Sequence, residues 1–191
     1  MDVLSYMLGK KASGGSDLDW TALGYEERPQ AIDDGYTYAL EIKNNWIPAS
    51  NLSNKFQDDK KLIFMSLVDT STTTLMTAMF QNCFGLQSIP LLDTGKVTLM
   101  NNMFNGCFAL KDIPVLDTSK VTGFGGIFNS CRSLTDESLN NILQMCINAT
   151  SYKATKTLNQ LGLRSNYYPV EKIQALPKYQ DFIDAGWTIG Y

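Results

Sequence analysis

A solenoid of stacked 24-residue coils is the fold class that this sequence predicts, on three observations. Phe80, Phe104 and Phe128 recur at one constant step, and Cys83, Cys107 and Cys131 keep the same step. Leu86, Leu110 and Leu134 repeat an apolar position, while Asp69, Asp93 and Asp117 repeat a turn position. An apolar and turn framework recurring at one fixed period means that each unit buries its face against the next. Such an architecture displays surface and seldom encloses a deep catalytic pocket.

Two copies, Met76–Leu99 and Met100–Gly123, align without gaps, and a third begins at Phe124, keeps Ile127, Phe128, Cys131 and Leu134, and departs at Thr135. One period back from Phe80, Leu86 and Ile89 stand Phe56, Leu62 and Met65, so a degenerate copy covers about 52–75. A further step reaches Tyr38–Ile42, a candidate capping strand. Within a unit, Leu86-x-x-Ile89-Pro-x-Leu92 reads as a short strand, and Pro90 and Pro114 suit extended backbone where no ladder donor is needed. Asp93-Thr-Gly-Lys96 and Asp117-Thr-Ser-Lys120 are turn chemistry, because Asp and Ser or Thr side chains bond nearby amides. Val97–Met100 reads as a second strand, and Met103-Phe-x-x-Cys107 as a helical turn with Phe and Cys inward. At about 4.8 Å per rung, four coils make a rod of only roughly 20 Å, so both of its sheet edges need covering.

The two ends supply candidate covers. Residues 17–51, with Trp20, Tyr25, Tyr36, Tyr38 and Trp46, are aromatic and irregular and read as an N-terminal cap. Thr135 suits the N-cap of a helix whose first turn carries Asp136 and Glu137, favourable at the positive end of the helix dipole. Leu139, Ile142, Leu143, Cys146 and Ile147 share one face of it, which would close the open end of the rod. A second helix is expected over either Val170–Leu176 or Lys178–Ala185, then a strand at Trp187–Ile189. The organisation is therefore 1–16, an N-terminal docking or oligomerisation segment with a flexible linker; 17–51, the N-terminal cap; 52–134, the repeat body; and 135–191, an α+β C-terminal cap.

The repeat pattern Leu-x-x-Ile-Pro-x-Leu-Asp-Thr-Ser-Lys-Val-Thr-x-Met-x-x-Met-Phe-x-x-Cys resembles the BspA-like leucine-rich repeats of bacterial surface, mycoplasma and prophage proteins, over about residues 52–147. The stretch Ser138–Thr150, with Lys156-Thr-Leu158 and Ala185–Tyr191, is similar to the tail that follows these repeats in structural proteins of phages infecting Gram-positive bacteria. The resemblance implies a BspA-like leucine-rich-repeat β-solenoid of about four coils with a helix-containing C-terminal cap. It also implies a virion part, in a tail, baseplate or head fibre, whose partners are other virion proteins and a host cell-surface receptor. The alternative is a bacterial cell-surface adhesin or host-interaction protein. The chain departs from the usual repeat by placing Phe84 and Phe108 where small polar residues commonly follow the Cys, and by losing the Ile-Pro strand after Leu134.

Composition excludes several classes. With 191 residues and 44% hydrophobic content the chain can bury a sizeable core. Net charge is −3 and the basic residues are scattered, which disfavours nucleic acid as a partner. No run approaches the ~18 apolar residues of a membrane span. Met1–Lys11 carries Asp2 and too short an apolar stretch for a signal peptide; if Met1 is the natural start, export by the general secretory route is not expected. The chain has no histidine, which removes Ser-His-Asp and Cys-His catalysis and the commonest metal ligand.

The apparent chemical motifs yield to the period. Leu91-Leu-Asp-Thr-Gly95 and Val115-Leu-Asp-Thr-Ser119 match the aspartic-protease signature, but that chemistry needs two facing carboxylates sharing a proton. A third copy, Leu67-Val-Asp-Thr-Ser71, shows that all are one repeated turn; the Asp column is expected to accept its own turn amides rather than gather a cation. The cysteines lack Cys-x-x-Cys pairing and are expected to be buried free thiols. Gly123-Phe-Gly-Gly126 lacks the Lys-Ser/Thr of a phosphate loop. The expectation is a non-enzymatic protein with no catalytic residue, no cofactor and no metal.

What remains is surface. Phe84 and Phe108 occupy equivalent positions on neighbouring coils and would stack side by side. Exposed, they form an aromatic strip for a sugar or protein partner; covered, they pack a neighbouring subunit or the N-terminal cap, which is the favoured alternative because bare adjacent phenylalanines invite aggregation. The other candidate is the first segment, where Val3, Leu4, Tyr6, Met7 and Leu8 can form one or two helical turns ahead of the flexible Ala12–Ser16. It is either a frayed terminus or a docking peg that makes the protein a homo-oligomer, and the peg is preferred. The expected location is the phage particle, the alternative the bacterial cell surface.

Overall fold

The computed structural model describes residues 38–40, 48–60, 62–65 and 68–190. The candidate docking residues Val3, Leu4, Tyr6, Met7 and Leu8, the linker, and nearly all of the 17–51 segment lie outside the described residues.

Successive units lie one on the next in strict register. Four amides in each unit donate to carbonyls of the unit that follows: those of Met76, Ala78, Phe80 and Asn82 reach Leu99, Asn101, Met103 and Asn105 at 2.7–2.9 Å. Met100, Asn102, Phe104 and Gly106 repeat the pattern onto Gly123, Gly125, Ile127 and Asn129, and Leu52, Asn54, Phe56 and Asp58 repeat it below. The alternate amides fold back within their own coil, as Met79 to Met76, Gln81 to Ala78 and Cys83 to Phe80. This side of each coil is thus a ribbon of overlapping β-turns, in place of the helical turn expected at Met103–Cys107. The turns dictate the backbone: φ is positive at Asn54 and Asp58, Ala78 and Asn82, Asn102 and Gly106, and Gly126 and Ser130. Asn, Asp and Gly, which tolerate this region, fill six of these eight positions, and Ala78 and Ser130 are held there by the ribbon. At Gly106 space adds to the demand, since a Cβ there would stand 2.5 Å from Oδ1 of Asn82 in the coil below.

The other two sides are extended but barely paired. β1 (Tyr38–Leu40) and β2 (Leu62–Met65) form one parallel pair, in the register Tyr38↔Leu62 and Leu40↔Met65 with a bulge after Tyr38. Beyond it, the segments expected as strands reduce to single parallel bridges, Ser88↔Asp112 on one side and Asn51↔Leu75↔Leu99↔Gly123 on another. Threonine hydroxyls add a second ladder along the latter: Thr74, Thr98 and Thr122 donate to the carbonyls of Ser50, Thr74 and Thr98 at 3.0–3.2 Å.

The core is the set of columns that this register creates. Phe80, Phe104 and Phe128 are wholly buried, with Phe56 partly buried below them. Their rings stack at centroid spacings of 5.4, 5.6 and 5.9 Å and within 17° of parallel. Each buried Phe contributes about 1.5–3 kcal/mol by burial and each offset stack about 0.5–1.5 kcal/mol more. Met76 and Met100, Leu86 and Leu110, Ile89 and Ile113, and Val97 and Val121 form further buried columns.

The stack ends on its own C-terminal chain. Thr135 caps α1 (Asp136–Asn148), its hydroxyl accepting from the Ser138 amide, and Asp136 and Glu137 occupy the first turn. Leu139, Ile142, Leu143, Met145 and Cys146 are buried, and Ile147 packs partly buried against the same core. The helix lies along the 111–118 edge of the last full coil. The Ser138 hydroxyl accepts from the Ile113 amide at 3.0 Å and donates to the Lys111 carbonyl at 2.7 Å. Asn141 Nδ2 donates to the Ile113 carbonyl, and the Thr118 hydroxyl to the Met145 carbonyl. The turn ribbon is covered separately, by α2 (Leu158–Leu161): the amides of Gly126 and Phe128 donate to the carbonyls of Gln160 and Leu161. Buried Tyr168 accepts from the Leu134 amide and donates to the Cys131 carbonyl through its hydroxyl. Both stretches offered as alternatives for one later helix are helical, as α3 (Val170–Gln174) and α4 (Tyr179–Asp184), and the expected strand reduces to a single bridge of Thr188 with Thr157. An aromatic cluster, Phe124, Tyr152, Trp187 and Phe182, fastens this tail to the stack.

Replacing Ser138 with Ala leaves the buried Ile113 amide without its acceptor, while the Lys111 carbonyl keeps the Thr135 amide, and the lost partner costs about 1–3 kcal/mol. Urea unfolding of Ser138→Ala should show a midpoint lowered accordingly with an unchanged slope, and an unchanged midpoint would mean that the edge is satisfied some other way.

Candidate functional site

The groups with intrinsic reactivity are absorbed by the coil. Asp69, Asp93 and Asp117 are exposed, and each accepts the amide of the next residue but one, from Ser71, Gly95 and Ser119, at 2.9–3.1 Å. The Ser71 hydroxyl and amide hold Asp69 below the usual carboxylate range, as the Ser119 amide and hydroxyl hold Asp117. They are turn-formers on one column, and no pair of them faces another across a cleft. The residue after each Asp is a buried threonine. Thr70 donates to the Asp93 carbonyl and Thr118 to that of Met145, whereas the Thr94 hydroxyl has no partner among the described residues.

The four cysteines are free and buried. Cys83, Cys107 and Cys131 point their thiols at the carbonyls of Phe56, Phe80 and Phe104 in the coil below, at 3.1–3.2 Å. Burial pushes the Cys83 thiol up to about 12, with the neighbouring Asp59 carboxylate adding to the rise. Burial likewise drives Cys107, Cys131 and Cys146 well upward. A thiol in this state is a donor in the core, and its nucleophilic thiolate form is suppressed. Among the described residues, no group of three or more Cys, Asp or Glu side chains is gathered as a metal ion would need.

Phe84 and Phe108 are brought together as the period requires. Their rings stack at 4.8 Å and 6°, the closest ring pair among the described residues, and both remain partly exposed. The N-terminal segment expected as one cover of this strip lies almost wholly outside the described residues. The same column continues to Lys60 one step down and Arg132 one step up, and both cations sit on the ring faces. Lys60 Nζ lies 5.4 Å from the Phe84 centroid, and Arg132 Cζ 4.2 Å from that of Phe108. Each contact of this kind is worth about 0.5–1 kcal/mol at an exposed site. The column thus reads cation, ring, ring, cation, with both outer ring faces occupied and the ring edges left at the surface. Lys60 and Arg132 are the residues that sequence reasoning missed. The same period that placed the phenylalanines also reaches them.

Beside Phe84, Phe108 and Arg132 the flanks of this column are small or uncharged: Gly85, Ala109 and Ser133 on one side, Asn82, Gly106 and Ser130 on the other. Asn82 is itself held, donating from Nδ2 to Asp58 Oδ1 at 2.8 Å. Below it, Asp58 closes the acidic end of the flank.

A family described as "Mycoplasma protein of unknown function, DUF285" matches residues 50–162, more than half of the chain. The chain belongs to this family. The matched span opens at Ser50, whose carbonyl starts the threonine ladder, and closes at Gly162, the glycine that ends α2. The family's unit therefore coincides with the stack and the segment that covers its last turn ribbon. No curated protein and no solved structure matches the chain. No described helix is long and apolar enough to cross a membrane.

The raised thiol values carry a pH consequence. A Cys83 pKa above its unfolded value of about 8.5 means that the buried thiol's contribution is complete below pH ~8.5 and is lost as pH rises toward 12. Denaturant stability should therefore decline with alkaline pH and decline less steeply in Cys83→Ala. A thiol reagent at pH 8 should label all four cysteines only at the rate of unfolding. Rapid labelling of the native protein would contradict their burial.

Proposed function

We propose that this chain is a non-enzymatic binding protein, a BspA-like leucine-rich-repeat solenoid of about four coils that serves as a structural component of a phage or prophage particle. The observation that carries the binding part is the division of labour along the repeat. Its carboxylates and thiols are spent on turns and core, while the paired Phe84 and Phe108 stand partly exposed at matching heights. The repeat pattern and the tail resembling phage structural proteins support the placement in a tail, baseplate or head fibre. In this reading the body presents its surface to another virion protein or a host receptor. Residues 1–16, with Val3, Leu4, Tyr6, Met7 and Leu8, dock and oligomerise it.

A second reading, a surface or host-interaction protein of the bacterium itself, is favoured by the family's description, which speaks of Mycoplasma proteins. The repeat surface would do the same work on a different body.

Immunogold labelling with an antibody to this chain separates the two. Induced, purified phage particles should carry label at a fixed position. Label confined to the envelope of intact host cells would overturn the particle assignment and leave the second reading.

A further inference from the structure

We infer that the Lys60–Phe84–Phe108–Arg132 column is a docking site for an acidic peptide segment of a protein partner; this deepens the binding reading above and rests on it. The argument begins with what the ring faces can no longer do. A sugar or a base that recognises phenylalanine stacks on a free face, and here each face meets either the other ring, at 4.8 Å, or a cation. What the column offers is ring edges, and the edge of a phenyl ring is the positive part of its quadrupole. A cation lying on the face draws electron density toward itself and leaves the edge more positive still.

The cations reinforce this sign. Both side chains are exposed, and neither has a carboxylate partner among the described residues: the described salt bridges are Lys172 with Asp136 and Lys178 with Asp181. Arg132 lies over the Phe108 ring at 4.2 Å, and no described carboxylate takes up its N–H donors. Lys60 at the other end is exposed, with its Nζ 5.4 Å from the Phe84 centroid. The column thus carries a cation at each end and apolar edges in the middle, and its flanks at Gly85, Ala109, Asn82 and Gly106 are uncharged. Asp58 and Asp59 stand at the Lys60 end, so the Arg132 end is the stronger anchor for a carboxylate.

Complementarity follows from that description. The occupant carries two carboxylates, one for Arg132 and one for Lys60, with aliphatic side chains between them against the phenyl edges. The steps along the column are 5.4, 4.8 and 4.2 Å, a span that about four residues of extended chain cover at ~3.4 Å each. An acidic peptide with carboxylates about four residues apart and leucine or valine between them has this shape and charge. Arg–carboxylate pairing is bidentate and supplies the orientation, and the affinity is expected to fall with salt.

The test uses the full chain and a fluorescein-labelled ten-residue peptide with two glutamates four residues apart separated by leucines. Controls are the same peptide with lysines for the glutamates and a neutral cello-oligosaccharide. Fluorescence anisotropy should show saturable binding of the glutamate peptide alone, weakened several-fold between 50 and 300 mM salt. Lys60→Gln with Arg132→Gln should weaken it at least tenfold with a cooperative thermal transition retained, and Phe84→Leu with Phe108→Leu should weaken it less. The inference is overturned by no binding of the glutamate peptide, by equal binding of the lysine peptide, by binding of the oligosaccharide only, or by indifference to Lys60→Gln with Arg132→Gln. Labelled particles together with a chain that ignores the glutamate peptide would sink this inference and spare the particle assignment. Peptide binding with unlabelled particles would do the reverse.

Discussion

Hydrogen bonds from the amides of one coil to the carbonyls of the following coil hold the stack together, four at every step along the turn ribbon. Because the interval never varies, it does more than join coils: it forces each side chain to meet its own counterpart one period away. Every position must then be compatible with itself when stacked. Phenylalanine satisfies that condition by offset stacking, and cysteine by donating to the carbonyl below. Threonine satisfies it by repeating the same hydroxyl-to-carbonyl bond. Aspartate does not, since like charges repel; Asp69, Asp93 and Asp117 are tolerated because they face water and each carboxylate accepts a hydrogen bond from its own turn amide. The column of Lys60, Phe84, Phe108 and Arg132 resolves the same problem differently, by separating two like charges with two rings.

The same rigidity makes the ends demanding. A stack of this kind presents unpaired amides and carbonyls at its last coil, and an open edge of that sort recruits other chains. Here the edge is answered group by group. Ser138 and Asn141 of α1 meet the backbone at 111 and 113, α2 meets Gly126 and Phe128, and the Tyr168 hydroxyl bridges Cys131 and Leu134. Ser138, Asn141, Tyr168 and the residues of α2 stand outside the period, because they have no further coil to receive.

Much of this is legible in the sequence wherever the period dictates identity. The inward Phe and Cys columns, the Asp-Thr turns and the Thr135 cap with its apolar helix face can all be read from spacing and residue type. The turn ribbon differs from the helical turn expected at Met103–Cys107, although Asn102 and Gly106 carry the signal: both hold positive φ, which a helix forbids. The expected strands shrink to single bridges because Pro90 and Pro114 bring no amide donor and the turns after Asp93 and Asp117 interrupt the extended chain. Lys60 and Arg132 escape notice when the basic residues are weighed for clustering along the chain, whereas the period places them on the phenylalanine column. For the terminal docking segment the sequence pattern stands alone.

The central claim is that register, set by the 24-residue period, holds the molecule together. Deleting 76–99 joins Leu75 to Met100 and removes one whole coil, so the coil below meets its counterpart in unchanged phase. Deleting 76–97 removes almost the same length but puts every column out of phase with the one it must meet. Chemical unfolding of the two shortened chains, followed by circular dichroism, tests the claim most directly. A cooperative transition for the 76–99 deletion and none for the 76–97 deletion is the predicted result. Equal behaviour of the two, folded or unfolded, would contradict it.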